Sequence, residues 1–154
     1  MKCGNYKIDL GCGPGKQKGY IGLDKHDYGD LYRKGYFKIW DLESGCLPFC
    51  DNSAIEIYAD SVLEHIKNLI PLMNDCWRVL KSEGKMIVIV PKAGSEGSFK
   101  DPTHVRFFLP KTFTYFQKGV RQENYDIKPW KVEFLDETEE EKSGIIKVCM
   151  KPDK

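Results

Sequence analysis

Lys7-Ile8-Asp9-Leu10-Gly11-Cys12-Gly13-Pro14-Gly15 reads as a short apolar strand that breaks into a turn carrying three glycines in five residues. Such a turn lets backbone N–H groups approach a ligand without interference from Cβ atoms, and open α/β sheets bind ligands in the crevice beyond the carboxyl ends of their strands. The stretch therefore predicts a fold class and a site together. Its glycine spacing removes two nucleotide motifs. A dinucleotide fingerprint needs a glycine where Lys16 stands, and a phosphate-binding P-loop needs a Gly-Lys-Ser/Thr ending that is missing.

Outward from the turn, Tyr20-Ile21-Gly22-Leu23-Asp24, Phe37-Lys38-Ile39-Trp40-Asp41 and Ala54-Ile55-Glu56-Ile57-Tyr58-Ala59-Asp60 each read as an apolar strand closed by an aspartate. Asp24, Asp41 and Asp60 are thereby brought towards one sheet edge. From Asn68 to Lys81 the apolar residues fall at helical spacing, with Asn68 placed to cap, Pro71 in the first turn and Gly84 placed to terminate. Met86-Ile87-Val88-Ile89-Val90 is an unbroken β-branched run ended by Pro91, the pattern of a central strand buried on both faces. A helix feeding such a strand implies a βαβ unit and a parallel sheet. Lys92 to Pro102 is polar and glycine-containing and reads as a mobile loop, and residues Lys111 to Gln117 as a short helix. Lys131-Val132-Glu133-Phe134-Leu135 and Ile145-Ile146-Lys147-Val148-Cys149 read as an antiparallel pair joined by the solvated acidic run Asp136-Glu137-Thr138-Glu139-Glu140-Glu141.

The expected architecture is α/β: a Rossmann-like, mostly parallel sheet flanked by helices, with an antiparallel strand pair at its C-terminal end. The 154 residues suit one domain, 1–154, and no apolar run approaches the ~18 residues of a membrane span. The opening residues lack the apolar core of a secretory signal, so a cytoplasmic location is expected. Six cysteines (Cys3, Cys12, Cys46, Cys50, Cys76 and Cys149) are scattered without framework spacing, as reduced thiols would be. A net charge of +1 with mixed signs argues against a general nucleic-acid binder without excluding a local patch.

Ile8-Asp9-Leu10-Gly11-Cys12-Gly13-Pro14-Gly15 resembles the first motif of the class I S-adenosylmethionine-dependent methyltransferases, and the resemblance runs through most of the chain. Asp24 matches the acid that holds the cofactor's ribose hydroxyls. Trp40-Asp41-Leu42 resembles the segment bordering adenine, with Asp41 placed to accept from the exocyclic amine. Phe49-Cys50-Asp51-Asn52-Ser53-Ala54 followed by Asp60-Ser61-Val62-Leu63-Glu64-His65-Ile66 is similar to the family's fourth-strand motif. Trp77-Arg78-Val79-Leu80-Lys81-Ser82-Glu83-Gly84-Lys85 matches the signature preceding strand 5. The resemblance implies S-adenosylmethionine as cofactor, held by Asp9, Gly11, Cys12, Gly13, Pro14, Asp24, Asp41, Leu42, Asp60 and Ser61, and methyl transfer to an acceptor of unspecified class. For Asp9, a structural hydrogen bond within the turn is the competing reading. For Asp24 and Asp41 it is a turn or cap role.

One departure concerns the link between the first two strands, which is only Gly11 through Gly19. No full crossover helix fits, and local rules favour a hairpin. Nine residues can nevertheless span up to ~30 Å against the ~17 Å of a five-residue strand, so a parallel return is possible. The same shortening occurs in a compact subgroup of predicted methyltransferases that this chain resembles. The chain also begins at its first strand, so the expected pocket is open, to be completed by a large substrate, the Lys92 to Pro102 loop or a second subunit of a homo-oligomer. A non-catalytic S-adenosylmethionine-binding module is the alternative function.

Asp101-Pro102-Thr103-His104-Val105-Arg106-Phe107-Phe108 resembles a segment of that subgroup and supplies the acceptor-side candidates. His104 has the pKa range to take a proton from an oxygen or nitrogen, and Arg106 could hold an anion. The competing reading has both satisfying backbone carbonyls while the phenylalanines pack. His65 reads as a satisfied structural histidine. Cys46 and Cys50 make at most half a zinc site, so no metal is expected. Gly94-Ser95-Glu96-Gly97 is not a nucleophile elbow, because Ala93 stands where glycine is required.

Overall fold

A computed structural model describes residues 4–120, 122–137 and 144–154. Cys3 and the stretch Thr138-Glu139-Glu140-Glu141 of the acidic run lie outside them. Seven strands, β1 (Tyr6–Leu10), β2 (Ile21–Asp24), β3 (Phe37–Ile39), β4 (Ala54–Asp60), β5 (Leu80–Pro91), β6 (Trp130–Glu137) and β7 (Ile145–Pro152), form one sheet in the order β3-β2-β1-β4-β5-β7-β6. The chain runs outward from β1 to β3, returns to β4 on the other side and continues to β5. The change of direction beside β1 is the topological switch point at which such sheets bind ligands. All neighbouring pairs from β3 to β5 are parallel, and β7 is antiparallel to both β5 and β6. The mostly parallel sheet with an antiparallel terminal pair is thus the observed architecture.

The short link between β1 and β2 does return in parallel, with Ile8 beside Ile21 and Leu10 beside Leu23. No helix of any length crosses over; Gly13–Gly15 makes one 3₁₀ turn. What stands in for the helix is a set of braces. The Asp9 carboxylate accepts from Gln17 N–H at 2.7 Å, and the Tyr32 hydroxyl donates to Gly13 O at 2.6 Å while accepting from Lys16 N–H at 3.1 Å. The Lys16 ammonium in turn donates to Tyr20 O at 2.9 Å. A hairpin is therefore excluded by contacts that come partly from residues beyond β2.

The helix α1 (Leu69–Val79) buries Leu69, Leu72, Met73, Cys76 and Val79 against the sheet, as its apolar spacing predicts. Its ends differ from expectation. The Asn68 side chain makes no cap; the Glu43 carboxylate instead accepts from the N–H groups of Lys67 (2.7 Å) and Asn68 (3.0 Å). At the other end Gly84 is not the terminator. The N–H groups of Asn52 and Ser53 take the carbonyls of Arg78 and Val79, and the chain becomes strand at Leu80. Gly84 sits where β5 bulges against β4, and a Cβ there would lie 3.0 Å from Lys81 O and 3.2 Å from Ala54 O.

Three short helices, α2 (Glu96–Phe99), α3 (Pro110–Thr114) and α4 (Gln122–Tyr125), complete the chain between β5 and β6. The Lys92 to Pro102 segment is thus partly helical, with Ser95 and Ser98 buried. Asp136 and Glu137, expected in the acidic loop, pair in register with Lys147 and Ile146 as the end of β6.

Arg78 fastens α1 to the loop before β4. Its guanidinium donates to both Asp75 oxygens (2.6 and 2.9 Å), to Asp51 Oδ1 (2.6 Å) and to the carbonyls of Phe49 (3.0 Å) and Leu47 (3.3 Å). Arg78→Ala leaves the largely buried Asp75 carboxylate with the Leu47 N–H alone and takes the guanidinium from the Phe49 carbonyl. The expected loss is about 2–3 kcal/mol, read as a lower urea midpoint at unchanged slope.

Candidate functional site

The turn after β1 is shaped by two glycines with different reasons for being glycine. Gly11 has φ +56°, and a Cβ on it would stand 2.6 Å from Val62 Cγ2, so the turn lies directly against the chain that follows β4. Gly13 has φ +50°, with nothing within 4 Å of where its Cβ would be. Gly11 permits close packing within the protein; Gly13 is required by its positive φ alone, its N–H and carbonyl being taken by Asp24 and Tyr32. Cys12 between them points inward over Gly22, where an added Cβ would meet its Sγ at 2.5 Å. Burial, reinforced by the nearby Asp9 and Asp24, pushes its thiol up to about 12, so it carries no charge at neutral pH. Asp9 is 4% exposed, and burial raises its pKa while the Gln17 N–H and Lys16 oppose the rise.

Asp24 closes β2 beside this turn. Its Oδ2 accepts from Gly13 N–H at 3.0 Å and its Oδ1 from His26 N–H at 2.9 Å, so the carboxylate is oriented by backbone on both sides. An ionised carboxylate has about four lone-pair sites, which leaves each oxygen able to accept once more. Asp41, just beyond β3, accepts from Glu43 N–H at 3.0 Å and caps the 3₁₀ turn Leu42–Ser44. The Trp40 indole before it is fixed by donation to Cys46 O at 2.7 Å. At the end of β4, Asp60 accepts from the hydroxyls of Tyr58 and Ser61, both at 3.1 Å, and Ser61 takes φ +55°.

These elements enclose a cleft of about 510 Å³. Of the residues expected at a cofactor, Gly11, Asp24, Asp41, Leu42 and Ser61 line it; Asp9, Cys12, Gly13, Pro14 and Asp60 lie behind or beside its lining. Sequence reasoning did not single out Lys25, His26 and Tyr28, which line it beyond β2, or Glu43, Val62 and Ile66. Tyr28 and Tyr32 offer no local signal, since their place depends on how the β2–β3 connection folds back.

A second cleft of about 340 Å³ adjoins the first, and Ser61 and His65 line both. Here the chain after β4 meets the segment after β5: Glu64 O accepts from the N–H groups of Val105 (2.8 Å) and Arg106 (3.1 Å). His104 lines this cleft with its Nδ1 3.0 Å from Ser98 O and its Nε2 4.0 Å from Glu64 Oε1. Arg106 lines neither cleft. Its Nε donates to Ile66 O at 2.7 Å and its Nη2 to Lys67 O, the carbonyl-satisfying arrangement. Phe108 is buried and stacks on Phe113 with ring centroids 5.5 Å apart, whereas Phe107 is exposed. Glu64, 1% exposed, is the residue of this cleft that the sequence did not reveal. Burial raises its pKa against the opposing influence of its own N–H and of His104.

The family profile described as a methyltransferase domain matches residues 8–88, a little over half of the chain. The chain belongs to this family of methyltransferase domains. Solved structures agree in fold at low identity. An S-adenosylmethionine-dependent methyltransferase from Archaeoglobus fulgidus is 17% identical at TM-score 0.69, over 97% of this chain and 87% of that one. Another from Mesorhizobium loti is 13% identical at TM-score 0.61, over 98% and 93%. A Haloferax volcanii methyltransferase described as putative, solved with the Trm112 activator, is 15% identical at TM-score 0.66, over 97% and 83%. No curated protein matches the sequence. The methyltransferase domain is of class I, and its cofactor is S-adenosylmethionine. The first cleft suits that group: Gly11 of the turn stands in its lining with two carboxylates that have accepting capacity and the apolar side chains of Leu42, Val62 and Ile66. Among the described residues no helix is long and apolar enough to cross a membrane.

Proposed function

We propose that this methyltransferase domain is an active enzyme that moves a methyl group from S-adenosylmethionine, held in the first cleft, to an oxygen or nitrogen nucleophile seated in the second. The observation that carries this reading is the meeting of the two clefts at Ser61 and His65. The cofactor supplies a methyl group already activated on a sulfonium sulfur, so the protein's task is to grip it and align a nucleophile in line. Asp24 accepts from the ribose hydroxyls and Asp41 from the adenine amine, while the Gly11 to Gly15 turn gives backbone close approach. Asp9 and Cys12 hold the turn's shape from behind, and Asp60 orients Ser61.

On the acceptor side His104 stands against the nucleophile. Ser98 O accepts from Nδ1, which turns Nε2 towards the Glu64 and Asp101 carboxylates. Arg106 positions rather than binds in this reading, tying the segment around His104 to the turn Leu63–His65 through the Ile66 and Lys67 carbonyls. Cys12, Cys46, Cys76 and Cys149 are free thiols, which fits a reducing compartment such as the cytoplasm.

Calorimetric titration with S-adenosylmethionine and transfer of a labelled methyl group to pooled metabolite fractions test the reading. One cofactor per chain is expected. His104→Ala should reduce transfer about 10²–10⁴-fold while leaving cofactor affinity within about threefold. Absence of cofactor binding would refute the reading; binding with no transfer to any fraction would favour a non-catalytic module.

A further inference from the structure

The seam between the clefts gathers three side chains whose lone pairs have nothing to accept from. Glu64 is 1% exposed, and neither carboxylate oxygen has a hydrogen-bond partner from another residue. A carboxyl this buried, with no hydrogen-bond partner, either keeps its proton or takes a counter-charge. Each of the two histidines beside it turns Nδ1 to a fixed acceptor. Ser98 O, 3.0 Å from His104 Nδ1, can only accept, so Nδ1 carries a hydrogen and Nε2 is the ring nitrogen left to face a ligand. The Thr103 hydroxyl commits its hydrogen to Asp101 Oδ1 at 2.7 Å, so it accepts from His65 Nδ1 at 3.0 Å, and His65 too has Nε2 left to face a ligand. One ligand atom from each of Glu64, His65 and His104 lies within 4.8 Å of the others.

We infer that Glu64, His65 and His104 bind a divalent first-row transition metal ion of the zinc type. Two imidazoles and one carboxylate favour such an ion over magnesium or calcium, which prefer oxygen ligands. Donation of the second ring N–H to a carbonyl or hydroxyl is the arrangement that orients metal-ligating histidines. A tetrahedral ion with bonds of ~2.1 Å sets its ligand atoms about 3.4 Å apart, so the 4.0 Å between His104 Nε2 and Glu64 Oε1 closes by about half an ångström. The ion supplies the positive charge that Glu64 lacks. Its ligands come from segments nearly forty residues apart, joined by the Glu64 carbonyl, by the His65–Thr103 hydrogen bond and by Arg106 on the Ile66 and Lys67 carbonyls, so no local spacing marks the site.

Three protein ligands leave a position open to the second cleft. An acceptor hydroxyl bound there gives its proton to water. Its oxygen then forms the bond to the methyl carbon as the carbon–sulfur bond breaks and the electron pair returns to sulfur. His104 then serves as a ligand rather than a free base. This use rests on the methyl-transfer reading; the ion site itself does not.

Chelator-stripped protein titrated with zinc chloride by calorimetry, and with Co²⁺ by visible absorbance, gives the test. One ion per chain is expected, with micromolar or tighter affinity and a Co²⁺ spectrum lacking the sulfur-to-cobalt charge transfer that Cys46 or Cys50 would produce. Glu64→Gln and His104→Gln should each weaken binding at least ~100-fold. A dissociation constant above the millimolar range, a thiolate spectrum, or an ion site untouched by both variants would overturn the proposal, and would mean that a proton shared with His104 balances Glu64. The wild-type Co²⁺ spectrum decides even where a variant fails to fold. S-adenosylmethionine affinity measured on the same samples separates loss of the ion site from failure of the cofactor reading.

Discussion

Gly11→Ala is expected to destabilise the domain by about 2–5 kcal/mol, which for a chain of this size lowers the melting temperature by about 5–15 °C. Two costs add. An L side chain at φ +56° carries roughly 1–2 kcal/mol of backbone strain. The new Cβ would also stand 2.6 Å from Val62 Cγ2, and relieving such an overlap in a packed region costs about 1–3 kcal/mol. Val62 is buried at 6% exposure on a segment held by β4, so it has little room to withdraw. Val62→Ala separates the terms: alone it costs about 1–2 kcal/mol through lost burial, but in the double variant it removes the overlap and leaves the strain. The cycle should therefore show a favourable coupling of about 1 kcal/mol or more, read from denaturation midpoints. A single variant within ~0.5 kcal/mol of wild type, or a cycle without coupling, would contradict the close approach of the turn to the chain after β4. Cofactor affinity should fall with Gly11→Ala, because the turn must shift away from Val62 and towards the cleft.

What could be read in the sequence follows from how local the causes are. Ala54–Asp60 has the same bounds in expectation and in the fold, because an apolar run closed by an aspartate is written into its own residues. Met86 to Val90 likewise reads as a strand from its own apolar run, although Ile87 and Ile89 are only partly buried rather than the strand being buried on both faces. The parallel return between β1 and β2 was legible only through the resemblance. Nine residues by themselves favour a hairpin, and one of the braces that decides otherwise, Tyr32, lies beyond β2. The end of α1 was misread because a glycine at residue 84 looks like a terminator, while the N–H groups that end the helix belong to Asn52 and Ser53.

The same distinction divides the site. Gly11, Asp24 and Asp41 stand at strand ends, where a sequence shows them directly. Glu64 does not announce itself. Flanked by Leu63 and His65 it looks like the exposed position of a short turn, and it is buried only because the chain after β5 folds over it and donates two N–H groups to its carbonyl. His104 was visible as a candidate, but its partners were not, since Ser98 orients it from a segment expected to be a mobile loop.

Asp24→Asn is expected to weaken S-adenosylmethionine binding about 100-fold, or roughly 2.7 kcal/mol, in calorimetry at neutral pH. The carboxylate already accepts from Gly13 and His26, one N–H on each oxygen, and has lone pairs left for a ligand. An amide has one accepting oxygen. Whichever way it turns, its NH₂ faces either the Gly13 or the His26 N–H, so one backbone donor loses its partner and the turn loses its register with β2. That costs about 1–2 kcal/mol of stability even without cofactor. The larger loss is on binding, because hydrogen bonds from ribose hydroxyls to a charged acceptor contribute about 1.5–3 kcal/mol and the negative charge disappears with them. Asp41→Asn gives the contrast. Asp41 is exposed and caps a turn through a single bond to Glu43 N–H, so an asparagine keeps the cap and the effect on affinity should stay at about tenfold or below. Equal losses at the two positions would mean that overall negative charge in the cleft matters more than the geometry at Asp24. An Asp24→Asn protein that binds as tightly as wild type would move the ribose away from β2 altogether, and with it the alignment of the first cleft to the second.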